Sequence, residues 1–211
     1  MFCDRSDAGR QLATKLGHCR GEGLLVLAIP CGGVEVGFHV ATALQADFSI
    51  LVSRKLPFPI NPESGFGAVA EDGNVFLYQG FEGVVSRCDR DRIINEQRNE
   101  IKRRISVLRE GRPLPQMKRR TVILVDDGIA MGSTMRVSIA LCRKKEVMRI
   151  VVAVPVAGAE TARMIGELAD EVVVLEIPSD FRAVAQVYRN WYDVSDREAL
   201  SLMKQWRVQR S

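Results

Sequence analysis

Short, nearly continuous apolar runs alternate along this chain with longer segments of helical period, and few architectures accommodate that order. Leu24 to Ile29, Phe48 to Ser53, Thr121 to Val125, Arg149 to Val154 and Glu171 to Ile177 are compact runs dominated by leucine and β-branched residues. Runs of this kind read as strands covered on both faces, which is the habit of parallel sheets. Between them, Asp4 to Leu16, Val34 to Ala46, Thr134 to Lys145 and Glu160 to Leu168 carry helical periodicity. The expectation is an α/β fold, a mostly parallel sheet flanked by helices.

The middle third interrupts the alternation. Leu56 to Pro62 is rich in proline, and Gly65 to Tyr78 holds two strand-like runs about an Asp72-Gly73 turn signal, so residues of about 56–86 are expected to form a hairpin or flexible flap. Arg87 to Arg109 follows as a helix with Ile94, Ile101, Ile105 and Leu108 on one face, ended by Gly111 and Pro113. From Pro178 onward the chain is aromatic and is expected to cap the sheet as a hood of about 178–211. No internal repeat or low-complexity linker divides the 211 residues, so one domain is expected.

Composition excludes several classes. The 46% apolar and 27% charged residues are ordinary for a soluble protein, and the apolar stretches are too short and too internal for a membrane span or signal peptide. The net charge of +4 is modest, and the basic residues from Arg87 to Arg120 alternate with acids as on a solvated helix face, so no nucleic-acid partner is expected. Five scattered cysteines, without a C-x-x-C pair or clustered histidines, give no metal cage and fit a reducing cytoplasm.

The most informative stretch is TVILVDDGIAMGSTM, Thr121 to Met135. A strand ends on two acids and passes through a loop of small residues into a helix, at the sheet edge where α/β proteins bind ligands. Gly128, Ala130 and Gly132 permit close backbone approach, and the amides of Gly132, Ser133 and Thr134 would face an anion at a helix N-terminus. Two carboxylates beside a phosphate cradle repel phosphate but suit sugar hydroxyls, so the implied ligand is a ribose phosphate. The competing reading is an acidic pair that merely caps the next turn.

VILVDDGIAMGST resembles the signature of the type I phosphoribosyltransferases, which bind phosphoribosyl pyrophosphate (PRPP). FCDRSDAGRQLA, AIPCGGVEVG, SRKL, GAVAEDG and VAVPVA extend the likeness over most of the chain, toward an uncharacterised bacterial and archaeal branch. The resemblance implies that Asp126 and Asp127 bind the ribose hydroxyls and act in catalysis, and that Gly128 and Ala130, Met131, Gly132, Ser133 and Thr134 wrap the 5-phosphate. It implies that Cys31, Gly32 and Gly33 form the pyrophosphate loop, with Arg54 and Lys55 as cations for the leaving group. Mg2+ follows from the polyphosphate, with Asp126 or Asp127 reaching it through water. The products would be a nucleoside monophosphate and pyrophosphate, and the resemblance favours a homodimer.

Two positions depart from the pattern. Met131 stands where the loop usually has threonine, and Cys31 where the branch usually has arginine; both favour a second reading, a non-catalytic protein of this fold that senses PRPP or a nucleotide. Cys31 itself reads as a packed small residue rather than a nucleophile. Glu71 and Asp72, in the segment matching the family's mobile loop, are candidates for proton transfer to the base, against their reading as polar turn residues. IPSDFRAVAQVYRNWY resembles the hood of the hypoxanthine-guanine enzymes, which makes Phe181 the candidate for stacking on a nitrogenous base, possible purines included. The same Phe181, with Tyr188 and Trp191, reads equally as packing for the tail. A receiver domain would carry its acids after the first strand, and the glycine motifs of P-loop, dinucleotide and esterase folds are missing from strand ends.

Overall fold

The computed structural model describes residues 1–210. In chain order the elements are α1 (Arg5–Lys15), β1 (Leu25–Ala28), α2 (Gly32–Leu44), β2 (Asp47–Ile50), β3 (Ser53–Phe58), β4 (Asn61–Ala70), β5 (Val75–Leu77) and α3 (Arg87–Leu108). There follow β6 (Thr121–Val125), α4 (Ser133–Lys144), β7 (Arg149–Val156), α5 (Ala159–Gly166), β8 (Glu171–Glu176) and α6 (Asp196–Arg210). Asp4 and Ser86 start α1 and α3 by accepting the amides of Asp7 and Asp89, the ordinary means of satisfying a helix N-terminus. The side chain of residue 210 and residue 211, the end of the expected hood, lie outside the described part.

Five strands form a wholly parallel sheet in the order β2-β1-β6-β7-β8. Side chains of successive residues point to opposite faces, and both faces are apolar. Val26, Ala28, Ile123, Val125, Val151 and Ala153 join a core with α1, α2, α3 and α6. Leu25, Leu27, Val122, Leu124, Val152 and Val154 join a second core with α4 and α5. This two-sided burial is why the strands lack polar alternation. Chain order departs in opposite directions from β1 and β6, so the crevice between their carboxyl ends is the switch point where α/β sheets bind ligands.

The segment expected to be a hairpin or flexible flap is a three-stranded antiparallel sheet, β3-β4-β5, with β4 and β5 forming the hairpin. Its turn at Gly73 has φ of +82°, as the Asp-Gly signal implied. Its inner half is core: Leu56, Phe66, Ala68, Val69 and Ala70 are buried against α3 and α4. The tip around Ile60 and Asp72 in the opposite turn are open to solvent. The proline-rich run was therefore a poor guide, because Pro57 sits on the edge strand β3 at a register irregularity, where a missing amide is tolerated. Likewise Phe48 to Ser53 is not one strand: β2 stops at Ile50, and Ser53 begins β3 in the other sheet. From Pro178 onward, Phe181, Val184, Val187 and Tyr188 pack with Val156 and Leu175, and the chain ends in α6, which packs on α2 and α3 and which aromatic content did not foretell. Among the described residues no helix is long and apolar enough to cross a membrane.

Candidate functional site

Two loops meet at the switch point, Pro30 to Gly33 after β1 and Asp126 to Gly132 after β6. Their contact explains the paired glycines. A Cβ on Gly32 would lie 1.8 Å from Asp127 Oδ2, and one on Gly33 would lie 2.8 Å from Asp126 Cα. Any larger residue would displace the acids. The glycine turn is the surface against which the acidic pair is seated, a stronger constraint than an ordinary strand-to-helix turn imposes.

Asp127 is held from three sides. Arg5 Nε donates to its Oδ2 at 2.9 Å, Tyr188 Oη donates to its carbonyl at 2.7 Å, and its amide donates to Asp126 Oδ1 at 2.9 Å. The Arg5 side chain is 3% exposed and that of Asp127 14%, so this ion pair is sheltered from water. Burial pushes both carboxyls above the usual range, Asp126 furthest because the neighbouring Asp127 charge adds to it; Arg5 opposes the shift at Asp127. Arg5 and the Asp127 amide each take one carboxylate oxygen, the two acidic side chains also interact with each other, and it is Asp127 that borders a cavity. Such hard oxygen donors fit Mg2+.

The loop from Ala130 to Thr134 is fastened by its carbonyls and leaves its amides without an acceptor among the described residues. Thr161 donates to the Ala130 carbonyl at 2.8 Å and Tyr78 to that of Met131 at 2.6 Å. The amides of Ala130 to Thr134 meet no acceptor among the described residues. Gly132, at φ of +80°, turns the chain into α4 and sets them at its N-terminus. They border a cavity of about 190 Å³ that Lys55 closes from β3. Here the structure brings together Gly128, Ala130, Met131, Gly132, Ser133 and Thr134; Lys55, expected beside Arg54 at the leaving group, borders this cavity instead, while Arg54 borders another.

A second cavity, of about 420 Å³, opens beside Asp127 and is bordered by Cys31, Gly32 and Arg54. Among its lining residues, Arg5 and Arg104 had no role in the sequence reading, and Trp191 was read there only as packing for the tail. Arg5 lay within the FCDRSDAGRQLA string but without a role. Arg104 was hidden in a charge-alternating helix, where its contact with Glu100 looks like any surface pair. It matters because Cys31 supplies no cation. The Cys31 thiol donates to Asp196 at 3.3 Å, and burial pushes it up to about 11, so it stays neutral. Arg54 and Arg104 deliver positive charge to the same turn from β3 and α3.

Two expected residues fall elsewhere. Glu71 lies at the β4–β5 turn, where its carboxylate pairs with Arg109 at 2.8 Å, both side chains 5% exposed. It borders a separate cavity with Asp72 and Leu114, sharing no lining residue with the Asp127 cavity. The carboxylate that looked like a proton donor on the flap is thus committed to a buried ion pair that fastens α3 to the flap's inner end. Phe181 packs beside Phe2, Val156 and Tyr188, and its ring approaches Gly158. Val184, not Phe181, borders both site cavities and contacts Gly128. The aromatic ring presented to the cavity is that of Trp191, with the Arg5 guanidinium 4.0 Å over its face.

Comparison with known proteins agrees with this geometry. A family model of the phosphoribosyl transferase domain matches residues 6–190. A protein of Mycobacterium tuberculosis H37Rv with the provisional name of phosphoribosyl transferase is 39% identical over 207 residues, 96% of this chain and 46% of that protein. The chain thus spans about half the length of the curated relative. The crystal structure of TT1426 from Thermus thermophilus superposes with a TM-score of 0.79 at 35% identity, covering 97% of this chain and 98% of that one. The AQ2163 protein of Aquifex aeolicus shares the fold at 13% identity, with a TM-score of 0.52 over 82% of this chain and 74% of that one. A domain match of this extent, joined to a relative of this likeness, settles the family: the chain belongs to the phosphoribosyl transferases.

Proposed function

We propose that this protein transfers the phosphoribosyl group of PRPP to a nitrogenous base, with inversion at the anomeric carbon and release of pyrophosphate. The observation that carries the reading is the acidic pair Asp126-Asp127 set between a cradle of free amides and a cavity edged by arginines. The amides of Ala130 to Thr134, with Lys55, take the 5-phosphate. The carboxylates of Asp126 and Asp127 accept the ribose hydroxyls. Pyrophosphate lies along the Cys31-Gly32-Gly33 turn, where Arg54 and Arg104 stabilise the charge that develops as the anomeric bond breaks. Mg2+ bound with the substrate would neutralise the polyphosphate, with Asp126 and Asp127 as its protein-side acceptors. The base enters between Val184 and Trp191, and the hood excludes water from the reacting carbon.

Calorimetry with PRPP and Mg2+, beside a pyrophosphate-release screen over a panel of bases, tests this. Asp126→Asn and Asp127→Asn each remove a charged acceptor worth about 1.5–3 kcal/mol, so PRPP affinity should fall by roughly tenfold or more. Unchanged affinity in both variants would sink the assignment. One observation favours the sensor reading: the thiol in the pyrophosphate turn is neutral and bonded to Asp196. Tight PRPP binding without turnover on any base would select it.

A further inference from the structure

At the sheet edge opposite the Ala130 to Thr134 loop, the adjacent pair His18-Cys19 meets an acid from far along the chain. His18 and Cys19 belong to the short 3-10 turn Gly17–Cys19 that follows α1, and Glu171 opens β8. His18 Nε2 lies 2.8 Å from Glu171 Oε1 and 3.4 Å from Cys19 Sγ, and the three ligand atoms all fall within 4.8 Å of one another. His18 Nδ1 faces the Lys15 carbonyl at 3.1 Å. A carbonyl only accepts, so Nδ1 carries the proton, and a neutral ring then presents the Nε2 lone pair to a carboxylate. Either a second proton on the ring or a metal ion can then lie between Nε2 and the carboxylate.

A second proton on the ring would satisfy that pair alone, and would give the buried thiol no part. A metal ion uses all three groups. Arg149 holds the other oxygen of Glu171 at 2.5 Å and so aims Oε1 at His18, while the Lys15 carbonyl fixes the imidazole tautomer. Outer hydrogen bonds of these two kinds are what orient metal ligands. With ordinary zinc–ligand bond lengths, tetrahedral edges come to about 3.5 Å for nitrogen to sulfur and about 3.3 Å for nitrogen to oxygen. The first matches, and the second requires Oε1 to retreat by about half an ångström.

We propose that His18, Cys19 and Glu171 form a zinc site with a fourth position open to water, separate from the PRPP centre. Imidazole and thiolate select Zn2+ over the hard ions that carboxylates alone would take. Binding displaces the Cys19 thiol proton to solvent and ties residue 19 to residue 171, fastening α1 to the edge strand of the sheet.

The test is a titration of the full chain, stripped with chelator and held reduced without thiols, first with Co2+ and then with Zn2+. One equivalent of Co2+ should give a thiolate charge-transfer band, which Zn2+ abolishes by displacement. The Asp126-Asp127 carboxylates cannot produce that band, so the two centres are distinguished. Cys19→Ser should lose the band, Cys88→Ser should keep it, and His18→Gln should weaken zinc by at least about tenfold. His18 is exposed, so its variant carries the test if Cys19→Ser fails to fold. No band, a band that survives Cys19→Ser, or zinc affinity unchanged in His18→Gln would each overturn the proposal.

Discussion

Replacing Glu71 by glutamine distinguishes a buried ion pair from a group that moves protons. Glu71 and Arg109 are each 5% exposed at the side chain, and among the described residues the Arg109 guanidinium has one other hydrogen bond, to the Ile50 carbonyl. Removing one partner of a buried pair costs about 3–5 kcal/mol, because the other charge is left uncompensated. The glutamine amide oxygen still accepts one bond from Arg109, so about 3 kcal/mol is expected. For a chain of this size that corresponds to a thermal midpoint lower by roughly 6–12 °C. Scanning calorimetry reads the shift. Glu71→Leu combined with Arg109→Met should recover most of it, since an apolar pair of similar volume avoids the charge burial. Because Glu71 borders a different cavity from Asp127, PRPP affinity and turnover at 25 °C should stay within about twofold of the parent. The reasoning fails if Glu71→Gln loses turnover while its midpoint is unchanged.

Three further outcomes follow from the site. Phe181→Ala should lower the thermal midpoint through lost packing and leave nucleotide affinity alone, whereas Trp191→Ala should weaken nucleoside monophosphate binding by about 1–3 kcal/mol; the opposite pattern in calorimetry would restore Phe181 as the stacking ring. Met131→Thr should raise PRPP affinity by roughly tenfold, since it adds a hydroxyl beside the free amides, and a loss of affinity would mean a loop of different shape. Burial pushes the Cys31 thiol up to about 11, so peptide mass spectrometry should find it unalkylated at pH 8, with the rate rising only as pH nears that value, while the exposed Cys3 and Cys88 react first. Rapid labelling of Cys31 at neutral pH would contradict the neutral thiol.

The parts of this fold that were legible are those decided locally. Strands buried on both faces must be apolar throughout, so β1, β6 and β7 announced themselves, and the Asp126 loop carries its chemistry in consecutive residues. The parts that were not legible depend on partners far away in the chain. Nothing near Glu71 reveals Arg109, 38 residues on, and so an acid on a hairpin passed for a catalytic one. Arg5 and Asp127 are 122 residues apart, and His18 and Glu171 153. Arg104 shows a further limit, for a helix with alternating charge looks solvated until something packs on it. Pro57 misled for the opposite reason, a local signal of disruption that an edge strand absorbs.

Arg5 binds Asp127 with Nε, donates to the Tyr192 carbonyl with Nη1 at 2.8 Å, and lies against the Trp191 ring. One guanidinium therefore serves as both the counterion of the acidic pair and the latch of the hood. If the hood swings out, Arg5 either follows it and leaves Asp127 uncompensated, or stays and abandons the Tyr192 carbonyl. Either route couples the electrical state of the acidic pair to the position of the Trp191-Tyr192 segment. A ligand that brings its own cations to Asp127 loosens the latch, and a base that draws Trp191 inward tightens it. The order in which substrates enter and products leave would then be written in the partition of a single side chain between two neighbours.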